Sequence, residues 1–192
     1  MNLLDTDSDR LLAAFRALLA QKGIATPDEI AERMEITDTA SPALGARMVA
    51  RAWLDPEFRA LLLSDGTRAA ESLGIVMRGA PPLGVLECTP DVHALVVCTL
   101  CSCYPRAVLG YPPFWFKSAA YRARAVREPR GLLAEFGTVL PEATRIRVVD
   151  STADYRWMVL PLRPAGTDGW DADRLAALVR AGDMIGVTQV RA

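Results

Sequence analysis

The sequence is most tightly constrained at Val97-Cys98-Thr99-Leu100-Cys101-Ser102-Cys103-Tyr104, where three of the chain's four cysteines fall within six residues. The pattern is C-x-x-C-x-C. An apolar run, Ala94-Leu95-Val96-Val97, leads into it and a turn-prone segment, Tyr104-Pro105-Arg106, leads out. This reads as a metal-binding loop at the end of a buried strand. Thiolate is the form that ligates metals, and positions i, i+3 and i+5 spread around the axis of a regular helix. The three sulfurs therefore converge only if the backbone coils into a tight claw. The amides of Ser102 and Cys103 then also point inward, giving five donors and one open octahedral position. Thiolates with backbone amides suit trivalent low-spin cobalt or iron better than zinc, which prefers four ligands in a tetrahedron.

Other readings stay open on spacing alone. A structural zinc or an iron–sulfur cluster needs a fourth ligand, and only Cys88 and the single histidine, His93, are at hand. Cys88-x9-Cys98-x2-Cys101-x-Cys103 is not zinc-ribbon spacing. Three buried thiols with no metal form the plainest alternative, because free cysteine packs well in cores. Spacing does not say which metal would bind.

The rest of the composition excludes several classes. The 192 residues are enough for one core with an appended helical segment. With 22 basic and 23 acidic residues the chain has no electrostatic footprint for nucleic acid or a membrane surface. No apolar run approaches the roughly 20 residues of a membrane span. Met1-Asn2-Leu3-Leu4-Asp5 lacks the features of a signal peptide, so the expected location is the cytoplasm, where clustered cysteines mean metal or redox chemistry more often than disulfides.

Along the chain, Leu11, Leu12, Phe15, Leu18 and Leu19 recur at helical spacing within residues 8–22, and Gly23 stands where a C-terminal cap would. Thr26-Pro27-Asp28-Glu29 predicts a capping box opening a short helix through Met34. Ser41 is the expected cap of a helix over Pro42–Leu54, and another is bracketed by Pro56 and Gly66. A further turn or two is expected over 67–73. Gly79-Ala80-Pro81-Pro82-Leu83-Gly84 marks a change of composition, which suggests a helical N-terminal segment over 1–78 and a metal-binding α/β domain over 79–192. Beyond it, Leu83 to Thr89, Val92 to Cys98, Thr144 to Asp150 and Tyr155 to Arg163 read as strands. Ser118 to Arg127, Pro129 to Phe136 and Asp171 to about Arg180 read as helices. Strands separated by helices give a mixed α/β class.

The cysteine stretch, extended to Pro105, closely resembles the metal-binding signature of the nitrile hydratase α subunit. Pro112-Pro113-Phe114-Trp115-Phe116-Lys117, Tyr121-Arg122-Ala123-Arg124, Val126-Arg127-Glu128-Pro129-Arg130-Gly131, Arg163-Pro164-Ala165-Gly166-Thr167 and Met184-Ile185-Gly186-Val187 resemble that family too. The similarity covers most of residues 85–190. It implies an α+β architecture, a helical N-terminal arm followed by a layered α-β-β-α domain with mixed sheets. It implies a non-corrin Co3+, with iron as the lesser alternative. Thr99 resembles the cobalt type, since iron-type members usually carry serine there. The metal ligands would be the sulfurs of Cys98, Cys101 and Cys103 and the amide nitrogens of Ser102 and Cys103. Cys101 would be a sulfinic acid and Cys103 a sulfenic acid, both at the catalytic centre. The implied reaction is hydration of a nitrile to an amide. The metal serves as Lewis acid, and the Cys103 sulfenate oxygen acts as nucleophile or general base. A β-type subunit, of one or two chains, would cover the metal, and an activator protein would deliver cobalt.

Some residues depart from the resemblance. Arg106 stands where the family often has tryptophan beside the claw, which suits a polar or heterocyclic nitrile. Cys88 and Leu162 replace polar amides, and Cys88 reads as a buried spare thiol. His93 is expected to pack beside its strand; with one histidine, a Ser-His-Asp triad has little support. Phe114, Trp115 and Phe116 read as core or interface aromatics. The thiocyanate hydrolase metal subunit, which carries a very similar claw, and an inactive metal-binding subunit are the alternatives.

Overall fold

The computed structural model describes residues 3–101 and 103–192, so Ser102 lies outside the described residues. The chain forms two compact units, Met1–Thr39 and Ala40–Ala192. The change of composition near residue 79 therefore falls inside the second unit.

The first unit holds two helices, each set by local signals. Helix α1 (Leu3–Gln21) ends at Gly23 with φ 63°. There Ile24 N–H donates to Leu19 C=O and Gly23 N–H to Ala20 C=O, both at 3.0 Å. This is the paired 6→1 and 5→2 closure that a left-handed glycine permits. Helix α2 (Pro27–Thr39) opens with the expected capping box: Thr26 N–H donates to Glu29 Oε2 at 2.7 Å and Glu29 N–H to Thr26 Oγ1 at 3.2 Å. It runs five residues past Met34, where the sequence reading ended it. The Thr37 and Thr39 hydroxyls fold back onto the carbonyls of Arg33 and Glu35, each at 2.8 Å, and so stay compatible with the helix. None of the α2 residues is buried.

The second unit begins with α3 (Pro42–Leu54), which buries Gly45, Ala46, Met48, Val49, Ala50 and Ala52. Its small residues allow close approach: a Cβ on Gly45 would lie 2.6 Å from Leu109 Cδ2 and 2.7 Å from Met184 Sδ. Helices α4 (Pro56–Ser64) and α5 (Gly66–Ser72) are capped by Asp55 and Asp65. Both pack on strand β1 (Leu83–Glu87).

Strand β2 (Val92–Val97) follows after a turn in which Thr89 and Val92 exchange backbone hydrogen bonds of 2.8 and 3.2 Å. Four helices come next: α6 (Arg106–Leu109), α7 (Phe114–Lys117), α8 (Ala119–Arg127) and α9 (Pro129–Glu135). Strands β3 (Arg145–Asp150) and β4 (Arg156–Leu160) complete the sheets. The strands joined by short connections, β1 to β2 and β3 to β4, do not pair with each other. Instead β1 pairs with β4 and β2 with β3, so each of those two connections carries the chain from one sheet to the other. Both pairings are parallel, in place of the mixed sheets expected. A parallel pair needs a long crossover, and residues 98–144 supply it between β2 and β3. Helix α8 packs on β2 and α9 on β3, which gives the α-β-β-α layering.

The expected C-terminal helix from Asp171 to about Arg180 is shorter, α10 (Ala172–Ala176), and a separate helix that the sequence did not predict, α11 (Ala181–Ile185), follows it. Asp183 Oδ2 accepts Arg180 N–H at 2.8 Å, so this amide caps a new helix instead of continuing the old one. Gly186, at φ 86°, ends α11 where a Cβ would lie 2.0 Å from the Ala94 carbonyl oxygen. Among the described residues no helix is long and apolar enough to cross a membrane.

Candidate metal centre

The parallel register sets Val97 opposite Asp150, so the chain leaves β2 beside a carboxylate. Parallel strands place their loops at the carboxyl ends, where ligands bind in open α/β sheets. Ser151 N–H donates to Val97 C=O at 2.7 Å and extends the ladder by one rung. Asp150 Oδ1 then accepts Thr99 N–H at 3.0 Å, and its Oδ2 accepts the Thr99 hydroxyl. Arg122 of α8 donates from Nη1 to Thr99 C=O at 3.3 Å. Thr99 is thus held through its amide, its side chain and its carbonyl.

From this anchored residue the loop turns back on itself. Cys101 N–H points at Cys98 Sγ, 3.3 Å away. Cys98 Sγ lies 3.4 Å from Cys101 Sγ, which lies 3.2 Å from Cys103 Sγ. All three sulfurs fall within 4.8 Å of one another. These separations carry chemical information. With metal–sulfur bonds of about 2.3 Å, neighbouring sulfurs sit about 3.3 Å apart in an octahedron and about 3.8 Å apart in a tetrahedron. The two observed spacings match the octahedral value. The three sulfurs can close on one ion, and with Cys88 outside the group they supply one sulfur fewer than a four-cysteine structural zinc requires.

Cys98 is 1% exposed and Cys103 8%, whereas Cys101 is an exposed residue whose sulfur still lies between the other two. Burial pushes the Cys103 thiol up to about 12; the sulfurs of Cys101 and Cys98 add to this and the Arg156 charge opposes it. A cation in the claw would displace that proton. Three buried polar atoms near the loop have no hydrogen-bond partner among the described residues: Tyr104 Oη, Arg122 Nε and Arg156 Nη1.

The structure brings together Cys98, Cys101 and Cys103 but leaves Cys88 out of the group, so the four-cysteine readings lose their fourth sulfur. Cys88 and His93 pair elsewhere, with Cys88 Sγ 3.9 Å from His93 Nδ1. Phe116 is fully buried and Trp115 packs edge-on against Phe116, Tyr121 and Phe136, while Phe114 is exposed. Arg106 is exposed, with its guanidinium 4.5 Å from the centroid of Tyr111. Asp150, Arg122 and Arg156 received no role from the sequence. Arg122 stood inside the Tyr-Arg-Ala-Arg motif, but its reach to Thr99 spans 23 positions, and Asp150 meets the loop only through strand pairing.

A three-sulfur claw mounted on a parallel strand end defines a mixed α/β metal-binding subunit. Comparison with known proteins is more specific. The family model described as nitrile hydratase, alpha chain, matches residues 6–188. The chain belongs to this family. It is 49% identical over 181 residues to the cobalt-containing nitrile hydratase subunit alpha of Pseudonocardia thermophila, covering 93% of this chain and 89% of that one. It is 42% identical over 193 residues to thiocyanate hydrolase subunit gamma of Thiobacillus thioparus, covering 95% and 79%. Among solved structures, a recombinant thiocyanate hydrolase with partially modified cobalt centres matches with a TM-score of 0.86 at 41% identity, covering 96% and 90%. An Fe-type nitrile hydratase double mutant from Comamonas testosteroni Ni1 matches with a TM-score of 0.83 at 41% identity, covering 100% and 93%.

Proposed function

We propose that this chain is the metal-bearing α subunit of a cytoplasmic nitrile hydratase, a lyase that adds water across C≡N to give an amide. The observation that carries the reading is the sulfur spacing of 3.4 and 3.2 Å at the end of β2. The ligands would be the sulfurs of Cys98, Cys101 and Cys103 and the amide nitrogens of Ser102 and Cys103. The cobalt-containing relatives and Thr99 favour non-corrin Co3+ over iron. The catalytic region is the α/β part over 79–192, with 1–78 as the helical segment.

When bound, the metal supplies Lewis acidity toward the nitrile nitrogen. The chain's own residues do the rest. Asp150 and Arg122 hold Thr99, and through it the first turn of the claw, so the donors are positioned before metal arrives. Cys103, as a sulfenate beside an exposed Cys101 sulfinate, takes a proton from water. The water oxygen bonds to the nitrile carbon, the nitrogen gains two protons in all, and the amide departs. The Arg156 charge favours the anionic form of Cys103. Leu100, 88% exposed on the claw, together with Cys101 would meet a β-type subunit of one or two chains. Cobalt would be delivered by an activator protein.

Cobalt analysis and mass spectrometry of the Cys98–Cys103 peptide test this, alongside nitrile hydration by the assembled complex and its Cys103→Ala variant. One cobalt per chain, added oxygens on two sulfurs and loss of activity in the variant are expected. A metal-free yet fully active protein overturns the reading. The exposed Arg106 guanidinium three residues beyond Cys103 favours a second reading, hydrolysis of the anion thiocyanate. Parallel assays of both substrates distinguish the two.

A further inference from the structure

The fold repeats, at its other sheet, the arrangement that builds the claw. The claw follows β2, at the carboxyl end of the parallel pair β2 and β3. The parallel pair β1 and β4 also ends side by side, with Glu87 opposite Leu160. Cys88 N–H donates to Leu160 C=O at 2.9 Å and adds one rung, as Ser151 does beside the claw. Pro161 follows, has no N–H and stops the ladder. The residues just past both strands, Cys88 and Pro161 to Pro164, line a cavity of about 190 Å3. Strand ends of this kind are where α/β sheets bind ligands, and the space holds several waters or one small organic ion.

Two ionisable groups of the wall are neutral. His93 Nε2 lies 2.7 Å from the Gly186 carbonyl oxygen, which can only accept, so Nε2 carries the proton. Nδ1 is then an acceptor, and the Cys88 thiol donates to it across 3.9 Å. Burial pushes the Cys88 thiol up and the His93 imidazole down, so neither is charged near neutral pH. The one carboxylate of the wall, Asp183, is engaged at both oxygens, by the Thr188 hydroxyl and by Arg180 N–H.

Arg163 and Arg191 also line the cavity, and both bond only neutral groups among the described residues. Arg163 Nε donates to Thr167 Oγ1 at 3.0 Å and its Nη2 to Thr167 C=O. Arg191 Nη2 donates to Gly137 C=O at 2.9 Å. Arg163 Nη1 and Arg191 Nε and Nη1 keep their donors for another acceptor. Two guanidiniums and one carboxylate leave the wall with a single net positive charge. A monoanion neutralises it, whereas a dianion would leave excess negative charge beside the buried Asp183. A guanidinium fork matches the two oxygens of a carboxylate. Leu162, 44% exposed, and Pro164 and Val190 supply apolar wall for a small hydrocarbon body.

We propose that this cavity binds one small organic monocarboxylate, its oxygens on Arg163 and Arg191 and its hydrocarbon part against Leu162 and Pro164. None of the claw cysteines lines the cavity, so the site is separate from the metal centre. Binding makes and breaks no covalent bond. Added salt weakens it, because the guanidinium of Arg191 is exposed at the rim.

The test is fluorine NMR titration of the purified complex with para-fluorobenzoate, with para-fluorobenzyl alcohol as the uncharged counterpart. Arg191→Gln removes one guanidinium, Arg191→Lys keeps the charge without the fork, and Leu162→Glu sets a carboxylate at the cavity. All three leave the claw unchanged, so whatever the claw binds cancels between them. Saturable binding of the acid to wild type is expected, about tenfold weaker in Arg191→Gln, less weakened in Arg191→Lys and lost in Leu162→Glu. The alcohol is expected to bind at least about tenfold more weakly than the acid. No saturable binding, equal binding by wild type and the variants, or equal binding of acid and alcohol overturns the proposal. Far-ultraviolet circular dichroism identifies any misfolded variant, and the remaining variants then decide the outcome.

Discussion

The two compact units of this chain differ in what holds them. In Ala40–Ala192, Met48, Leu62, Leu95, Met158 and Met184 are completely buried and draw on helices and strands far apart in sequence. In Met1–Thr39 the helices are well formed, yet Leu11 is 73% exposed, Phe15 56% exposed and α2 buries none of its residues. Caps and glycine stops are enough to shape a helix, but an isolated pair of helices gains little without an apolar face to cover. Among its described residues the first unit thus has structure without a core of its own, and the second has the core on which the claw can be rigid.

The largest expected effect lies at the claw. Cys98→Ala should abolish cobalt retention and reduce nitrile hydration of the complex to background, while Leu11→Ala leaves cobalt content unchanged; metal analysis of both checks the contrast. Next is the core. Leu95→Ala should cost about 3–4 kcal/mol in chemical denaturation, as for other fully buried leucines. Leu11→Ala, measured on this chain alone, should stay within about 0.5 kcal/mol. A large loss at Leu11 would show that the first unit carries a core after all.

Gly186→Ala should cost about 2–3 kcal/mol, because it combines a positive φ with a Cβ placed 2.0 Å from the Ala94 oxygen. Shifted amide exchange in β2 should accompany it. Smallest is Thr26→Ala, worth about 1 kcal/mol at the start of α2. Hydrogen exchange should speed up at Asp28 to Ile30 and remain unchanged in β1 to β4. Exchange that rises in both units would dissolve the distinction between them.

The elements legible in the sequence were those whose signals lie close together. Gly23, the Thr26 and Glu29 box, the Ser41-Pro42 start and the run into Cys98 each act within a few residues, so periodicity and capping found them. Helix α11 was missed because its start depends on Asp183 claiming the Arg180 amide, an exchange invisible to the apolar pattern. The parallel pairing was missed because a strand's apolar run does not name its partner. At the candidate site the three cysteines were legible from spacing, whereas Asp150 and Arg122 entered only through strand register and the packing of α8.

By itself the sequence determined helices α1 to α5, α8 and α9, the strand segments and the one place where three thiols could meet, because each depends on forces acting over a turn or two of chain. The tertiary structure alone decided that the sulfurs close to about octahedral spacing and that an aspartate 51 positions away from Thr99 holds their loop. It also decided that Cys88 leaves the claw to face His93. The Asp150–Thr99 contact joins residues distant in sequence, and only the pairing of β2 with β3 and the burial of their shared faces bring those two within bonding distance.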